Sequence, residues 1–497
     1  MDLTEKKYLL YRRQFILTTK QITDLHHFKK IEFTKNYFLY IHPDLPFIKA
    51  LKSKKQLILL GDLFDPVNSG KENIEIVNSL INANSIEELV CSVYPLAGRY
   101  AILFVKEDDI YLFNDPSASR KIFYTNHLKF NCCASEPHVL AKYLGIEKTK
   151  NDEVLAYYRS SEFFNGMKIN IADNTIYDNI KQLLPNRYLV LKTGTNKRFW
   201  PNKALKKILL NEATEKASEI ISNIMMSFNK RYKLMIPITA GSDSRILLAA
   251  SRKIIGNIYL YINKNEGMSD DHLDIRISKS LLNKIGLKSN VHIYSNRVDK
   301  DFEEIYNLNS AFPLKENMGL IYNVYFKNFQ DRINLPGSFS DISRNFFFTH
   351  KKRITPGLLT MIYMKSIHGY FIEQKYLTKN FKKWLSEIYE LSNKCGYQIL
   401  DLFNWEERNG NWYTKFQEDK DIAQEEFSAF NNRLFMDLCL GVHKKYRDID
   451  TNIFYKSMVK YMWPEALSEP MYPKSWLRYY LKKTNLYLPV RMITKKF

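Results

Sequence analysis

Short apolar stretches bounded by turn residues dominate the first two hundred positions of the 497-residue chain. Residues 57–63 (LILLGDL), 100–105 (YAILFV) and 187–191 (RYLVL) have the length of buried strands. Glycine, aspartate and proline separate these stretches, as turns require. The pattern predicts neighbouring strands joined by tight turns.

Helical spacing replaces this pattern after residue 201. Apolar residues recur at three- and four-residue intervals over residues 205–228, which predicts an amphipathic helix. A strand over 232–238, a helix over 245–253 and a strand over 258–262 then predict a βαβ unit and a parallel sheet. From about residue 358 the pattern is mostly helical. We therefore expect an α/β protein of two domains, residues 1–202 and 203–497.

The amino-acid composition favours some partners and locations of the protein and argues against others. The 74 Lys and Arg exceed the 53 Asp and Glu, which gives a net charge of +21 and favours nucleic acid, anionic lipid or acidic small molecules as partners. The five cysteines include no CxxC pair, which argues against a zinc site or a disulfide framework. No stretch has the roughly 18 uninterrupted apolar residues of a membrane helix. A cytoplasmic location is the expectation.

The loop at residues 239–244 (TAGSDS) lies between the first strand and the helix of the βαβ unit. Small side chains let backbone amides approach an anion, and a helix amino terminus attracts it. Asp243 in such a loop would repel phosphate unless a cation lay between them, so the pattern predicts Mg²⁺. The alternative is an ordinary strand-to-helix turn of small residues.

This loop resembles the SGGxDS signature of PP-loop ATP pyrophosphatases, as it occurs in asparagine synthetase-like enzymes. The resemblance implies that six residues bind ATP: Thr239, Ala240, Gly241, Ser242, Asp243 and Ser244. Ala240 stands where the family has a glycine. Residues 334–346 (NLPGSFSDISRNF) resemble the second metal and pyrophosphate loop of that family, with Gly337 and Asp341 in matching positions. Phe339 and Ile342 depart from that pattern. Asp243 and Asp341 are the implied catalytic pair and Mg²⁺ ligands. Arg344 is interpreted as a phosphate partner or a surface arginine.

Residues 96–125 resemble the glutaminase-type domain that precedes the synthetase domain in the same family. The resemblance implies a layered α+β sandwich over residues 1–202. A working glutaminase of this type has a cysteine directly after the initiator Met, whereas this sequence begins Met1-Asp2-Leu3 and has no cysteine before Cys91. We expect the glutaminase-like fold without glutamine hydrolysis, and Cys91 as a small buried residue.

The carboxy-terminal half provides two further candidates. Glu406, or its neighbour Glu407, could deprotonate an incoming amine. The alternative is that both glutamates are solvent-exposed charges on a helix without a catalytic role. Arg408 fits an arginine element of the resembled family. Lys474 lies where that family has the lysine that stabilises the amide-forming transition state.

The resemblance implies an ATP- and Mg²⁺-dependent amide-forming ligase. It would activate a carboxylate of a small molecule, sugar or peptide as an acyl-adenylate, and transfer it to ammonia or a substrate amine. Two alternatives stay open: a PP-loop tRNA-modifying enzyme, which the charge would suit, and a non-catalytic scaffold that retains the fold. A homodimer is compatible with the sequence, and nucleic acid is the less favoured partner.

Overall fold

The computed structural model describes residues 3–126, 129, 131–347, 353–369, 374–472, 480–481 and 484. Within these residues the protein is mixed α/β, as predicted, with 17 α-helices and 16 strands in three sheets. The helices are α1 Leu3–Leu9, α2 Asn73–Leu80, α3 Ile86–Ser92, α4 Pro137–Leu144, α5 Asp152–Tyr158, α6 Ser161–Asn165, α7 Leu210–Arg231, α8 Ser242–Ala250, α9 Leu273–Lys284, α10 Lys300–Asn309, α11 Lys315–Leu320, α12 Pro356–His368, α13 Lys375–Cys395, α14 Ile399–Phe403, α15 Thr414–Lys420, α16 Arg433–Leu440 and α17 Ile453–Met462. Two π-helical segments, Ile321–Phe326 and Asn404–Tyr413, and three 3₁₀ segments, Arg252–Asn257, Ser340–Ser343 and Pro464–Leu467, complete the described helical structure.

Two six-stranded sheets form the amino-terminal part. Their strands are β1 Phe15–Thr18, β2 Lys29–Thr34, β3 Tyr37–Ile41, β4 Phe47–Lys52, β5 Lys55–Phe64, β6 Ala97–Lys106, β7 Asp109–Asn114, β8 Phe123–Thr125, β9 Cys133–Ala134, β10 Ile180–Gln182, β11 Arg187–Val190 and β12 Thr195–Arg198. The order is β10-β8-β9-β1-β3-β2 in one sheet and β12-β11-β7-β6-β5-β4 in the other.

Strand β5 is apolar on both faces because both are covered. Ile58 and Leu60 join a core that includes Leu17 and Leu39 of the first sheet. Leu57 and Leu59 instead join the core formed with α2 and α3. A strand buried on both faces reads as a continuous apolar run, which is why residues 57–63 were recognisable in the sequence.

The third sheet is parallel throughout, with the order β15-β14-β13-β16. Its strands are β13 Leu234–Pro237, β14 Ile258–Asn265, β15 Asn290–Tyr294 and β16 Ile333–Asn334. The strand, helix and strand predicted after residue 231 are β13, α8 and β14. Because β13 and β16 are adjacent and parallel, the chain segments that follow the two strands emerge at the same edge of the sheet.

The two predicted domains share one hydrophobic core, in which Phe64 packs on Phe228 and Phe427. A buried group of charges also joins them, and we call it the ionic cluster: Arg13, Arg99, Arg120, Asp421 and Glu425. The division at residue 202 stays a prediction. No helix in the described ranges is both long and apolar enough to cross a membrane.

Candidate functional site

The 239–244 loop connects β13 to α8, as the sequence predicts. Gly241 caps α8 in an extended conformation, with φ −75° and ψ 164°. Ala240 has no positive φ, so its methyl group introduces no backbone strain where the resembled family has glycine. The loop can therefore form with alanine at this position.

Protein acceptors already bind the first three amides of the loop. Thr239 N donates to Ser244 Oγ over 3.1 Å, and Gly241 N donates to Thr239 Oγ1 over 3.1 Å. Ala240 N donates to Asp274 Oδ1 over 2.8 Å. The first-turn amides of α8, at residues 242–244, have no acceptor within the helix. An anion at this helix terminus would bind these amides, and not the amides of residues 239–241.

The 337–344 loop, which follows β16, lies directly against Asp243. A Cβ added to Gly337 would lie 2.4 Å from Asp243 Cβ, so only glycine allows this approach. Phe339 has φ 66°, in the left-handed region that favours glycine. Asp341 follows within the 3₁₀ segment Ser340–Ser343. The structure thus brings the two predicted loops into contact.

Two buried arginines pair with the two predicted aspartates. Arg344 Nη1 donates to Ser242 Oγ over 2.9 Å, and Arg344 Nη2 lies 3.2 Å from Asp243 Oδ1. Arg408 forms an ion pair with Asp341 and stacks on the Phe346 ring at 4.1 Å. The Nε atoms of both arginines are buried without a hydrogen-bond partner in the part of the chain that the structure describes. Arg344 is therefore no surface arginine.

The electrostatic surroundings of the two arginines differ. Burial lowers the pKa of Arg344, but the charges of Asp243 and Asp341 outweigh burial and raise it overall. For Arg408, burial outweighs the attraction of Asp341 and lowers the pKa. Arginine still carries its charge at neutral pH. The two arginines therefore differ in whether burial or the neighbouring carboxylates have the larger effect on the pKa.

A segment near the carboxy terminus covers the 239–244 loop. Tyr472 N donates to Ala240 O over 3.0 Å, and the Tyr472 hydroxyl lies 2.7 Å from each carboxylate oxygen of Asp274. Asp274 also accepts the hydrogen bond from Ala240 N. No local pattern in the sequence indicates Asp274 and Tyr472, because their hydrogen bonds span about two hundred residues. The predicted Lys474 lies outside the described residues.

Glu406 and Glu407 are both buried, so they are not solvated helix charges. Glu406 accepts hydrogen bonds from Arg198, from Asn186 Nδ2 over 3.1 Å and from Trp384 Nε1 over 2.9 Å. A carboxylate with these donors is held in place as an ion-pair partner, and its role as a base stays a prediction. Cys91 is exposed, contrary to the expected burial.

Magnesium was expected with Asp243 and Asp341. The described part of the chain contains no group of three or more His, Cys, Asp or Glu side chains arranged to hold a metal ion. Mg²⁺ commonly uses one or two carboxylates and takes its other ligands from phosphates and water. The donor set of two carboxylates on loops in contact fits such a shared site, once a nucleotide supplies the remaining oxygens.

No family model matches the chain, and no curated protein matches it. One matching structure is that of the allosteric regulatory enzyme of purine biosynthesis, with a TM-score of 0.26 and 10% identity, covering 58% of this chain and 77% of that chain. Another is glutamine phosphoribosylpyrophosphate amidotransferase from B. subtilis complexed with ADP and GMP, with a TM-score of 0.23 and 12% identity, covering 74% of this chain and 85% of that chain. Both neighbours are enzymes, and the second is an amidotransferase.

The assignment to the asparagine synthetase-like family is therefore wrong. The matching structures named above are an enzyme of purine biosynthesis and a glutamine phosphoribosylpyrophosphate amidotransferase, and not asparagine synthetases. The departures from the synthetase motifs agree with this correction, since Ala240, Phe339 and Ile342 replace the residues that the motifs require. Likeness at these TM-scores carries no argument about what this chain does, so its function has to be argued from the site.

Proposed function

We propose that the protein is an ATP-dependent enzyme that activates a carboxylate as an acyl-adenylate and transfers the acyl group to ammonia or a substrate amine. One observation carries the proposal. The 239–244 and 337–344 loops meet at Gly337 and Asp243, where Arg344 joins Ser242 to Asp243 at the amino terminus of α8. Cationic side chains, first-turn amides and carboxylates thus converge on one place.

The phosphates of ATP would lie at the amino terminus of α8. The free amides of residues 242–244 and the helix dipole favour negative charge there. Arg344, whose Nη atoms contact Ser242 and Asp243, adds positive charge at this terminus. Asp243 and Asp341 would hold Mg²⁺ together with phosphate oxygens, and the ion would neutralise charge on the departing pyrophosphate.

The chemistry at this site is a displacement followed by acyl transfer. A carboxylate oxygen of the substrate attacks the α-phosphorus of ATP, and the bond to the β-phosphate oxygen breaks as pyrophosphate leaves. The amine nitrogen then attacks the acyl carbon, AMP leaves, and the nitrogen loses a proton to water. The role of Arg344 and Arg408 is to orient the phosphates and offset their charge, which are the main contributions in phosphoryl chemistry.

Calorimetric titration with Mg²⁺ and ATP tests the first requirement of the proposal. We expect the wild-type protein to bind ATP and the Asp243→Asn variant to bind at least about tenfold more weakly, a loss of about 1.4 kcal/mol. The matched control is Asp271→Asn, an exposed aspartate that precedes α9 and lies outside both loops. Absence of ATP binding to the wild-type protein would contradict the proposal and favour the non-catalytic scaffold.

Product analysis tests the second requirement. The wild-type protein is incubated with Mg²⁺, ATP and panels of amino acids and uronic acids, with ammonium or hydroxylamine as the nitrogen donor. We expect one acid to release AMP and pyrophosphate in equal amounts. Release of ADP and phosphate instead would show that the γ-phosphate is transferred, and adenylation would be wrong.

A further inference from the structure

A second cavity lies apart from the two loops. It has a volume of about 390 Å³ and opens between strand β10, the β11–β12 hairpin, helix α13 and the residues before β10. None of its lining residues belongs to the 239–244 or 337–344 loop. Small-molecule sites commonly have volumes of about 300–1,000 Å³, so the cavity has the size of a ligand site.

Asp173 provides a negative charge at this cavity. It belongs to the lining and is half-buried. Its carboxylate has no hydrogen-bond or ion-pair partner among the described residues. Lys181, another lining residue, donates to Asn174 Oδ1 over 2.6 Å and not to Asp173. A carboxylate that has lost part of its hydration without gaining a cation can bind a positively charged ligand group.

Lys383 provides a positive charge on another wall. It lies on α13, lines the cavity and is exposed, and its ammonium group has no partner in the described ranges. Asn174 Nδ2 donates to Asn380 Oδ1 over 2.6 Å, which holds the segment of Asp173 against α13. Asn380 and Lys383 are three residues apart and are therefore neighbours on one side of the helix. The two charges thus border the same cavity without pairing with each other.

Protein groups already engage or enclose the other charged side chains of the lining. These are Lys181, Arg187, Glu387 and Glu407. Arg187 and Glu387 form an ion pair with each other, and Lys181 has its amide partner. Glu407 is fully buried, so a ligand in the cavity does not reach it. Asp173 and Lys383 are thus the lining charges left for a ligand, one of each sign.

These two charges define the chemistry of the ligand. A purely anionic ligand would be repelled by Asp173, and a purely cationic ligand would be repelled by Lys383. A zwitterion can place its ammonium group at Asp173 and its carboxylate at Lys383. An α-amino acid carries both groups in a molecule small enough for the cavity.

We propose that this cavity binds a zwitterionic small molecule, an α-amino acid, through Asp173 and Lys383. The site is independent of the proposed ATP chemistry, since it shares no residue with the two loops. The Asp243→Asn variant should accordingly bind the amino acid as the wild-type protein does.

Saturation-transfer NMR on the full-length protein tests this site directly. The probes are the twenty common amino acids. Each is compared with two analogues of single charge, which lack either the amino group or the carboxylate; for alanine these are propionate and ethylamine. We expect at least one amino acid to bind, and both of its analogues to bind at least about tenfold more weakly, because each loses one charge-assisted hydrogen bond.

Two pairs of variants locate the binding. Asp173→Asn and Lys383→Gln each remove one charge and should weaken binding at least about tenfold. Their controls are Asp178→Asn and Lys382→Gln, at exposed positions outside the lining, which should bind as wild type. All four positions are half-buried or exposed, so we expect the variants to fold, and circular dichroism checks this.

Three results would each overturn the proposal. The first is that no amino acid binds. The second is that a single-charge analogue binds as tightly as its amino acid, which would indicate a simple anion or cation site. The third is that either Asp173→Asn or Lys383→Gln binds as its control does.

Discussion

Carboxylates pair with arginines in two regions of this molecule, and the regions differ in how far water can reach them. In the ionic cluster, Arg99 lies 2.6 Å from Asp421, and the two side chains are 3% and 10% exposed. At the two loops, Arg344 lies 3.2 Å from Asp243, and Asp243 is 31% exposed. The first region is closed to water, whereas the second is open at Asp243.

This difference assigns different roles to similar residue pairs. Charges in a closed cluster depend on one another, because the cost of removing them from water is repaid only by the partner charge. An exposed carboxylate with an arginine can exchange that partner for a ligand or an ion. The ionic cluster therefore holds the two halves of the chain together, and under the proposed function the loop pair would exchange partners with a nucleotide.

The largest effect should follow from breaking the closed cluster. Arg99→Met removes from buried Asp421 its nearest arginine, while Glu425 keeps Arg120, and we expect a loss of about 3–5 kcal/mol in the free energy of unfolding. Urea denaturation followed by circular dichroism measures the loss. The exposed Lys49→Met in β4 is the control. A change in Arg99→Met as small as in the control would show that the cluster contributes nothing to stability.

Asp243→Asn should reduce activity strongly and stability only slightly, the reverse of what is expected for Arg99→Met. We expect a decrease of about 10²–10³-fold in ATP turnover, as when one electrostatic group is removed from an active site, with stability changed by less than about 1 kcal/mol. Pyrophosphate release and urea denaturation of the same preparation measure the two effects. Wild-type turnover in the variant, or a loss of stability as large as in Arg99→Met, would contradict the distinction between the regions.

The stability that the ionic cluster provides should depend on pH through Glu425. Burial raises the pKa of Glu425, but Arg120, Arg99 and Arg13 outweigh burial and lower it to about 2. The unfolded state therefore takes up the proton at a higher pH than the folded state. The stabilisation by Glu425 is present above its unfolded pKa of about 4.5 and is lost as the pH falls towards 2.

Glu425→Gln removes this dependence. The stability difference between wild type and variant should shrink on going from pH 6 to pH 3, by up to about 1.4 kcal/mol per pH unit below 4.5. Urea midpoints at a series of pH values measure it, with the exposed Glu266→Gln as control. A difference that stays constant over this range would mean that Glu425 has no depressed pKa.

The smallest effect is expected from Tyr472→Phe, which removes a hydroxyl from Asp274 and keeps the ring. Tyr472 is half-exposed, so the lost hydrogen bonds should weaken ATP binding by only about 0.5–1.5 kcal/mol. Calorimetric titration measures the change, with the exposed Tyr461→Phe as control. Equal affinities of the two variants would show that Tyr472 does not support the 239–244 loop through Asp274.

Local patterns were sufficient for the βαβ unit and its loop. Strand β13, helix α8 and strand β14 each bury an apolar face, and such faces repeat at spacings that a sequence displays. Gly337 and Asp341 were predicted through a motif; the structure places Gly337 against Asp243, and the roles of both residues stay predictions. The same motif led to the wrong family, because a short match describes a local loop and not the whole chain.

The roles of neighbouring charged residues could not be read from local patterns. Glu406 and Glu407 are adjacent and chemically identical, yet only Glu406 meets Arg198, Asn186 and Trp384. Arg344 was a candidate surface residue and is buried against Asp243. In each case the deciding partner lies far away in the sequence.

The sequence by itself determined the strands around residues 57–63, 100–105 and 187–191, the βαβ unit and the loop between β13 and α8, because these follow from the spacing of apolar and small residues along the chain. Only the tertiary structure decided which charges are closed from water and which arginines meet Asp243 and Asp341. The physical reason is that solvation and pairing depend on distances between remote segments, and these distances exist only once the chain has folded.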